Sequence, residues 1–422
     1  MRRLIQNIGW LLSGRAVNAV LSVVYLALAT RTLGLDGFGY FALIVALGQT
    51  VTGLANFQTW QFVVRWGANA NGPGEATGFA IALDFLSVIL GTVMAGALVW
   101  SAQHWLPLPD DLLWVAFWFC VVSLLAMRST PTGLLRLRFQ FGRATAAEAV
   151  QPVVRAIGAV LAVIYMPTVL GFIIAWAVAE VAVAIALWIT AAWHERLDFS
   201  RISLRNIPRD YPDAWRFVWS TNMSGSLNVG GKQVMILLVG AIGGEAFAGG
   251  FRVASQLGQA LVQLAQTVSK AIYPELVHAQ EAAHDIARRM ANIALIGGIL
   301  AVLIALFFGR WGLEAIAGEE FGVVYWAMVI LAIAGAIELV GASLESLLVS
   351  AGKAGTAFLV RAGPTLLALA MLEVAMDWNG LKGAAFTVLG SSALSVIGFW
   401  VAIISLQQIR ITVDPPASSP RG

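Results

Sequence analysis

The chain has 422 residues, of which 59% are hydrophobic and 12% charged, and its mean hydropathy is +0.81. That balance is far from soluble usage, so it excludes an ordinary globular enzyme and predicts an all-α polytopic membrane protein. The net charge of +3 and pI near 9.2 fit loops lying against anionic lipid rather than a nucleic-acid surface.

Apolar runs long enough to cross about 30 Å of hydrocarbon as helix follow one another near 8 to 30, 38 to 64, 77 to 100, 112 to 130, 144 to 166 and 169 to 192. Six more lie near 216 to 242, 247 to 272, 288 to 309, 322 to 350, 355 to 376 and 383 to 406. Twelve spans are therefore expected. The first has a basic start but is long, contains Arg15 and Asn18, and lacks a convincing cleavage site, so it reads as a retained span rather than a signal peptide. Asp110 and Asp111 fall just before the fourth span, where acids cap the positive end of a helix. The lone Cys120 lies inside that span and permits no intramolecular disulfide. From His194 to Asp213 runs the longest polar connection, read as a linker between an N-terminal lobe (1–207) and a C-terminal lobe (208–409), with a disordered tail over 410–422.

Lys and Arg gather in the alternate loops that a cytoplasmic N-terminus places inside, among them Arg65, Arg128, Arg136, Arg138, Arg143, Arg201, Arg216 and Lys353. The opposite loops hold only Arg31, Arg310 and Lys382 and are otherwise acidic or neutral, so both termini are expected in the cytoplasm.

A pattern recurs at a spacing of about 210: Leu33, Gly34, Asp36, Phe38, Phe41 and Leu47-Gly48-Gln49 return as Ile242, Gly243, Glu245, Phe247, Phe251 and Leu257-Gly258-Gln259. The same shift carries Gly142-Arg143-Ala144 onto Gly352-Lys353-Ala354 and Asn18 onto Asn228. Agreement at separated places indicates a duplicated half. Six spans per half is an even number, so the repeats run parallel, related by an axis along the membrane normal.

Ionisable residues inside the spans are Arg15, Asp84, Glu148, Arg155, Glu180, Lys232, Arg252, Glu338, Glu345, Arg361 and Glu373. Left in lipid they would cost about 30 kcal/mol at ~2.5 to 3.5 kcal/mol each, more than a fold's net stability of ~5 to 15. Most must face water or one another. In the eighth span Arg252, Gln256, Gln259, Gln263, Gln266, Lys270 and Tyr273 share one side, stepping by four and three. Weaker stripes are Gln49, Thr52, Asn56 and Trp60 in the second span, Arg15, Asn18, Ser22 and Tyr25 in the first, and Thr221, Asn228 and Lys232 in the seventh. Glu148, Gln151 and Arg155 share a face of the fifth span, while Glu180 and Glu373 read as interfacial groups that snorkel. Interhelical hydrogen bonding accounts for an isolated Gln, whereas the long stripe predicts a water-lined cavity.

Cations in such a cavity suit an anionic substrate, since guanidinium forks match phosphate oxygens. Arg15, Lys232, Arg252 and Arg361 are the candidate substrate-binding cations, with Asn18, Asn228, Gln256, Gln259, Gln263 and Gln266 as polar cavity groups. Asp84, Glu338 and Glu345 are candidates for proton or sodium coupling, although Glu338 and Glu345 equally suit a helix seam. No metal site, cofactor site or catalytic set is expected, and Asp110-Asp111 reads as a helix cap rather than a glycosyltransferase pair.

The opening, Asn7 to Trp10, Arg31-Thr-Leu-Gly34, Asp36-Gly-Phe-Gly39 and Phe41, resembles the first two helices of bacterial polysaccharide and O-antigen flippases of the multidrug/oligosaccharidyl-lipid/polysaccharide exporter superfamily. The resemblance implies two six-helix lobes around a central cavity. It implies alternating-access transfer of an undecaprenyl-pyrophosphate-linked oligosaccharide to the periplasmic leaflet of the bacterial inner membrane, with a polysaccharide polymerase and a chain-length regulator as candidate partners. An ion-coupled multidrug exporter of the same superfamily is the alternative.

Overall fold

The computed structural model describes the backbone except at residues 1, 69–72, 195–198, 205–210, 212, 278–282, 351–352 and 414–422; side chains are described except there and at 2–17, 73, 199, 224–225, 227–230, 264–277, 283–294, 346–347, 349–350, 354 and 406–413. Much of the expected linker and most of the expected tail therefore lie outside the described residues. So do the side chains of Arg15, Asn228, Gln266, Lys270 and Tyr273.

The described residues hold helices and no strand. In chain order they are α1 (Arg2–Ala55), α2 (Thr59–Trp66), α3 (Pro73–Ala102), α4 (Asp110–Leu125), α5 (Ser129–Leu137), α6 (Phe141–Glu148), α7 (Val150–Tyr165) and α8 (Val169–Ala192). A short 3-10 turn, Phe199–Arg201, precedes α9 (Ala214–Gly243), α10 (Glu245–Val277) and α11 (Ala283–Ala317). A second 3-10 segment, Glu319–Val324, leads to α12 (Tyr325–Ser350), α13 (Ala354–Ala370) and α14 (Leu372–Val413). Acids occupy the first turn where the helix dipole favours them: Glu75 in α3, Asp110 and Asp111 in α4, Glu245 in α10.

Among the described residues eight stretches are long and apolar enough to cross a membrane, and one of them, the 49-residue Asn18–Trp66, holds two crossings because Gly34 breaks it at φ 68°. Two shorter apolar helices, Gly231–Gly243 and Gly355–Ala370, and the amphipathic α10 complete the expected twelve spans. Spans two, four and five are each assembled from consecutive helices: α1 with α2, α4 with α5, and α6 with α7.

The repeat register is 210 at the first break, where Gly34 (φ 68°) answers Gly244 (φ 90°) rather than Gly243. Positive φ is cheap only for glycine, so the same residue recurs where each half turns sharply between its first two spans. The two copies of the motif pack on each other. A Cβ on Gly39 would collide with the Glu245 carbonyl, and one on Gly249 would come within 3.0 Å of the Leu35 carbonyl. Because Gly39 and Gly249, and Leu35 and Glu245, are repeat mates, these are one contact written twice, as expected where a two-fold axis crosses an interface. Arg252, the mate of Ala42, donates from Nη1 to the Ala42 carbonyl at 3.3 Å.

The chain forms two compact units, Met1–Val253 with Leu313–Gly322, and Ala254–Gly312 with Val323–Gly422. In the first, Arg31 donates to the carbonyls of Ala315 and, at 3.3 Å, Ile316, so a cation closes the C-terminal end of α11. The Glu320 carboxylate accepts from the Leu35 amide at 3.3 Å, just beyond the Gly34 break. In the second, Gly258 lets α10 approach the α12 backbone, with Ala332 N and Met328 O each 3.1 Å from a built Cβ.

Candidate functional site

Spans two and four are interrupted side by side. Span two is open over Asn56, Phe57 and Gln58, with Gln58 left-handed at φ 52°, and span four is open over Ala126, Met127 and Arg128. The interruptions release backbone groups that lipid cannot satisfy, so side chains or cavity water must. Asn222 of α9 donates to the Leu54 and Asn56 carbonyls at 3.0 and 2.8 Å, and the Trp188 indole donates to the Met127 carbonyl at 2.7 Å. The Trp60 amide donates to Ser129 Oγ at 3.1 Å, tying the two half-helix starts together.

Asp84 of α3 sits buried at those starts. It accepts from Thr59 Oγ1 at 2.8 Å and Thr130 Oγ1 at 2.6 Å, the first residue of α2 and the second of α5. Two positive half-helix ends and two hydroxyls converge on one carboxylate, which is the environment in which a buried negative charge is tolerated. Asp84 thus joins the starts of two half-helices through their hydroxyls, whatever part it takes in coupling.

Next to this junction lies a charged cluster. Arg128 Nη2 pairs with Glu180 Oε2 at 2.8 Å; the Arg128 side chain is 45% exposed and that of Glu180 only 8%. Glu180 also accepts from Gln151 Nε2 at 2.7 Å and Trp176 Nε1 at 3.0 Å. The expectation that Glu180 snorkels at an interface is corrected: three donors draw its carboxylate into the bundle. Arg155 donates to Ser22 Oγ at 3.1 Å and stacks over Trp176 at 4.4 Å and Tyr25 at 5.2 Å. Glu148 shares a cavity with Arg155, but the hydrogen bond of Arg155 goes to Ser22.

Two cavities flank the cluster and share Arg128. The first, about 400 Å³, is walled by Asn18, Ser22, Arg128, Glu148, Gln151 and Arg155. The second, about 380 Å³, is walled by Gln49, Thr52, Asn56, Asp84, Glu180 and Gln233, with Ser87, Ser123, Phe119 and Trp176 beside them. The helical stripes of spans one, two and five therefore do line space. Arg252 is buried against Ala42, Phe41 and Trp176 and lines neither cavity; Lys232 is exposed and lines neither. In the second unit Gln259 donates to Ser255 at 3.2 Å, and Gln256 and Gln263 are exposed. Arg361 pairs with Glu345 at 3.2 Å, joining a candidate substrate cation to a candidate coupling acid, while Glu338 accepts from Ser392 at 3.1 Å.

The charge pattern places Arg128 among the loop cations, and only the fold brings it into the cluster. The signal was present in Arg128-Ser129-Thr130-Pro131, where hydroxyls and a proline mark the start of a helix inside an apolar run.

The family described as polysaccharide biosynthesis protein matches residues 4–280. Inner membrane protein YghQ of Escherichia coli (strain K12) is 30% identical over 315 residues, 72% of this chain and 89% of that protein. Among solved structures, lipid II flippase MurJ in an inward closed conformation is similar with a TM-score of 0.73 at 11% identity, over 93% of this chain and 87% of that one. An inward-facing multidrug resistance MATE family transporter of the MOP superfamily is similar with a TM-score of 0.68 at 14% identity, over 94% and 96%. The solved structures share the fold, the matched pattern covers well over half the chain, and on these grounds the chain belongs to the polysaccharide biosynthesis protein family.

Proposed function

We propose that the chain is a flippase that carries an undecaprenyl-pyrophosphate-linked oligosaccharide from the cytoplasmic to the periplasmic leaflet of the bacterial inner membrane by alternating access, for surface polysaccharide assembly. The carrying observation is the cavity in which Arg128 and Arg155 stand among neutral donors, Asn18, Ser22 and Gln151. Guanidinium groups at a wet cavity wall offer forked donors for pyrophosphate oxygens, and the amides and hydroxyl complete the shell without adding opposing charge. Glu148 on the same wall leaves room for one counter-ion or proton. With both termini cytoplasmic, Asn18 and Ser22 lie ~18 to 24 Å of helix from the outer turn at Gly34, which puts the cavity in the cytoplasmic half of the bilayer where such a lipid is made.

The reading divides the repeat within the polar connection near 207/208, leaves coupling to Asp84, Glu338 or Glu345 as a separate matter, and assigns no catalytic residue. A polysaccharide polymerase and a chain-length regulator are its natural partners. The test is transfer of a fluorescent polyprenyl-pyrophosphate oligosaccharide across proteoliposomes. The intact protein moves it and Arg155→Ala, still folded by its cooperative thermal transition, does not. Transfer at the intact rate by Arg155→Ala would sink the cationic-cavity reading, and export of cationic dyes without lipid transfer would replace it with drug export.

A further inference from the structure

We infer that the second cavity is a carbohydrate subsite, which takes the first sugar of a lipid-linked glycan whose pyrophosphate occupies the first. The inference rests on the flippase reading and names where its glycan is held.

The two cavities differ in charge although they share Arg128. The first adds Arg155 and one carboxylate, Glu148, to it, whereas the second adds two carboxylates, Asp84 and Glu180, and no further cation. A pyrophosphate in the second cavity would face two like charges, but a neutral polyol would not. The remaining wall is amide and hydroxyl: Gln49, Thr52, Asn56, Ser87, Ser123 and Gln233. Among these, Ser87 Oγ, Ser123 Oγ and Gln233 Oε1 are buried without a hydrogen-bond partner, and the Ser87 residue is 9% exposed. Each such group is costly to leave unpaired, and three on one wall call for a ligand that both donates and accepts. Sugar hydroxyls do both. A volume near 380 Å³ is of the size of small-molecule sites. Since Arg128 belongs to both walls, a sugar bonded directly to the pyrophosphate would lie beside it.

The experiment compares binding of two probes to the full chain in nanodiscs: a short polyprenyl pyrophosphate, and the same pyrophosphate bearing one hexose. The hexose probe is expected to bind wild type ~10-fold more tightly, the equivalent of one to two well-formed hydrogen bonds. Gln233→Leu and Ser87→Val should erase that advantage while leaving the bare pyrophosphate unchanged. Equal binding of both probes to wild type, or equal weakening of both by these variants, would overturn the subsite. Arg155→Ala separates the two ideas. It should weaken both probes alike, and if it weakens neither, the pyrophosphate reading fails while the hexose advantage still judges the second cavity.

Discussion

Span four and span ten are repeat mates, yet one is broken and the other is not. α4 and α5 part at Ala126–Arg128, whereas α12 runs unbroken from Tyr325 to Ser350. At the shift of 210, Asp84 becomes Ala294, Thr130 becomes Val340 and Ser129 becomes Leu339. The second half therefore lacks the carboxylate and hydroxyls that satisfy a half-helix start, and an unsatisfied break in a bilayer is prohibitive. Charge follows the same division. Arg128 becomes Glu338, and Gln151 becomes Arg361. The first half pairs a span-four cation with a span-six acid; the second pairs a span-ten acid with a span-eleven cation. A duplicated scaffold can thus keep its helices and change which of them carries the polar interior.

The comparison can be broken in four places. Asp84→Leu should cost the most, ~3 kcal/mol, because it strands two hydroxyls and two half-helix ends together. Thermal unfolding in detergent would show it, and a loss under ~1 kcal/mol would mean the break in span four is held by something else. Glu180→Ala should follow at ~2 to 3 kcal/mol, since it orphans Gln151 and Trp176 as well as Arg128, whose own exposure tempers the loss. Arg155→Lys keeps the charge but gives up the planar stacking on Trp176 and Tyr25, for about 1 kcal/mol. Its transport should fall further than its melting temperature if the guanidinium also holds substrate. Smallest is Glu345→Ala in the second unit, about 0 to 1 kcal/mol, because both members of the Arg361 pair are partly exposed, at 29% and 26%. A loss from Glu345→Ala as large as that from Glu180→Ala would erase the asymmetry between the halves.

Much of the cavity wall was readable from helical spacing alone. Asn18 and Ser22, Gln49 with Thr52 and Asn56, and Gln151 with Arg155 each share a helical face, and each group lines one of the two cavities. Spacing could not tell which stripes meet. It ranked the eighth span first by its length of polar side, yet Arg252 at the head of that stripe is buried at the contact with Ala42.

By itself the sequence determined what depends on composition and period: a membrane chain, twelve spans, a duplicated half, and which face of each helix is polar. The transfer free energy of a span is a sum over its own residues, so it is legible without neighbours. Tertiary structure alone decided that Arg128 belongs to a buried cluster, that Glu180 lies inside, that Asp84 holds two half-helices, and that Gly39 meets its own repeat mate Gly249. Each of those facts is a pairing between residues distant in the chain, and the energy of a pair exists only once the fold has brought both members together.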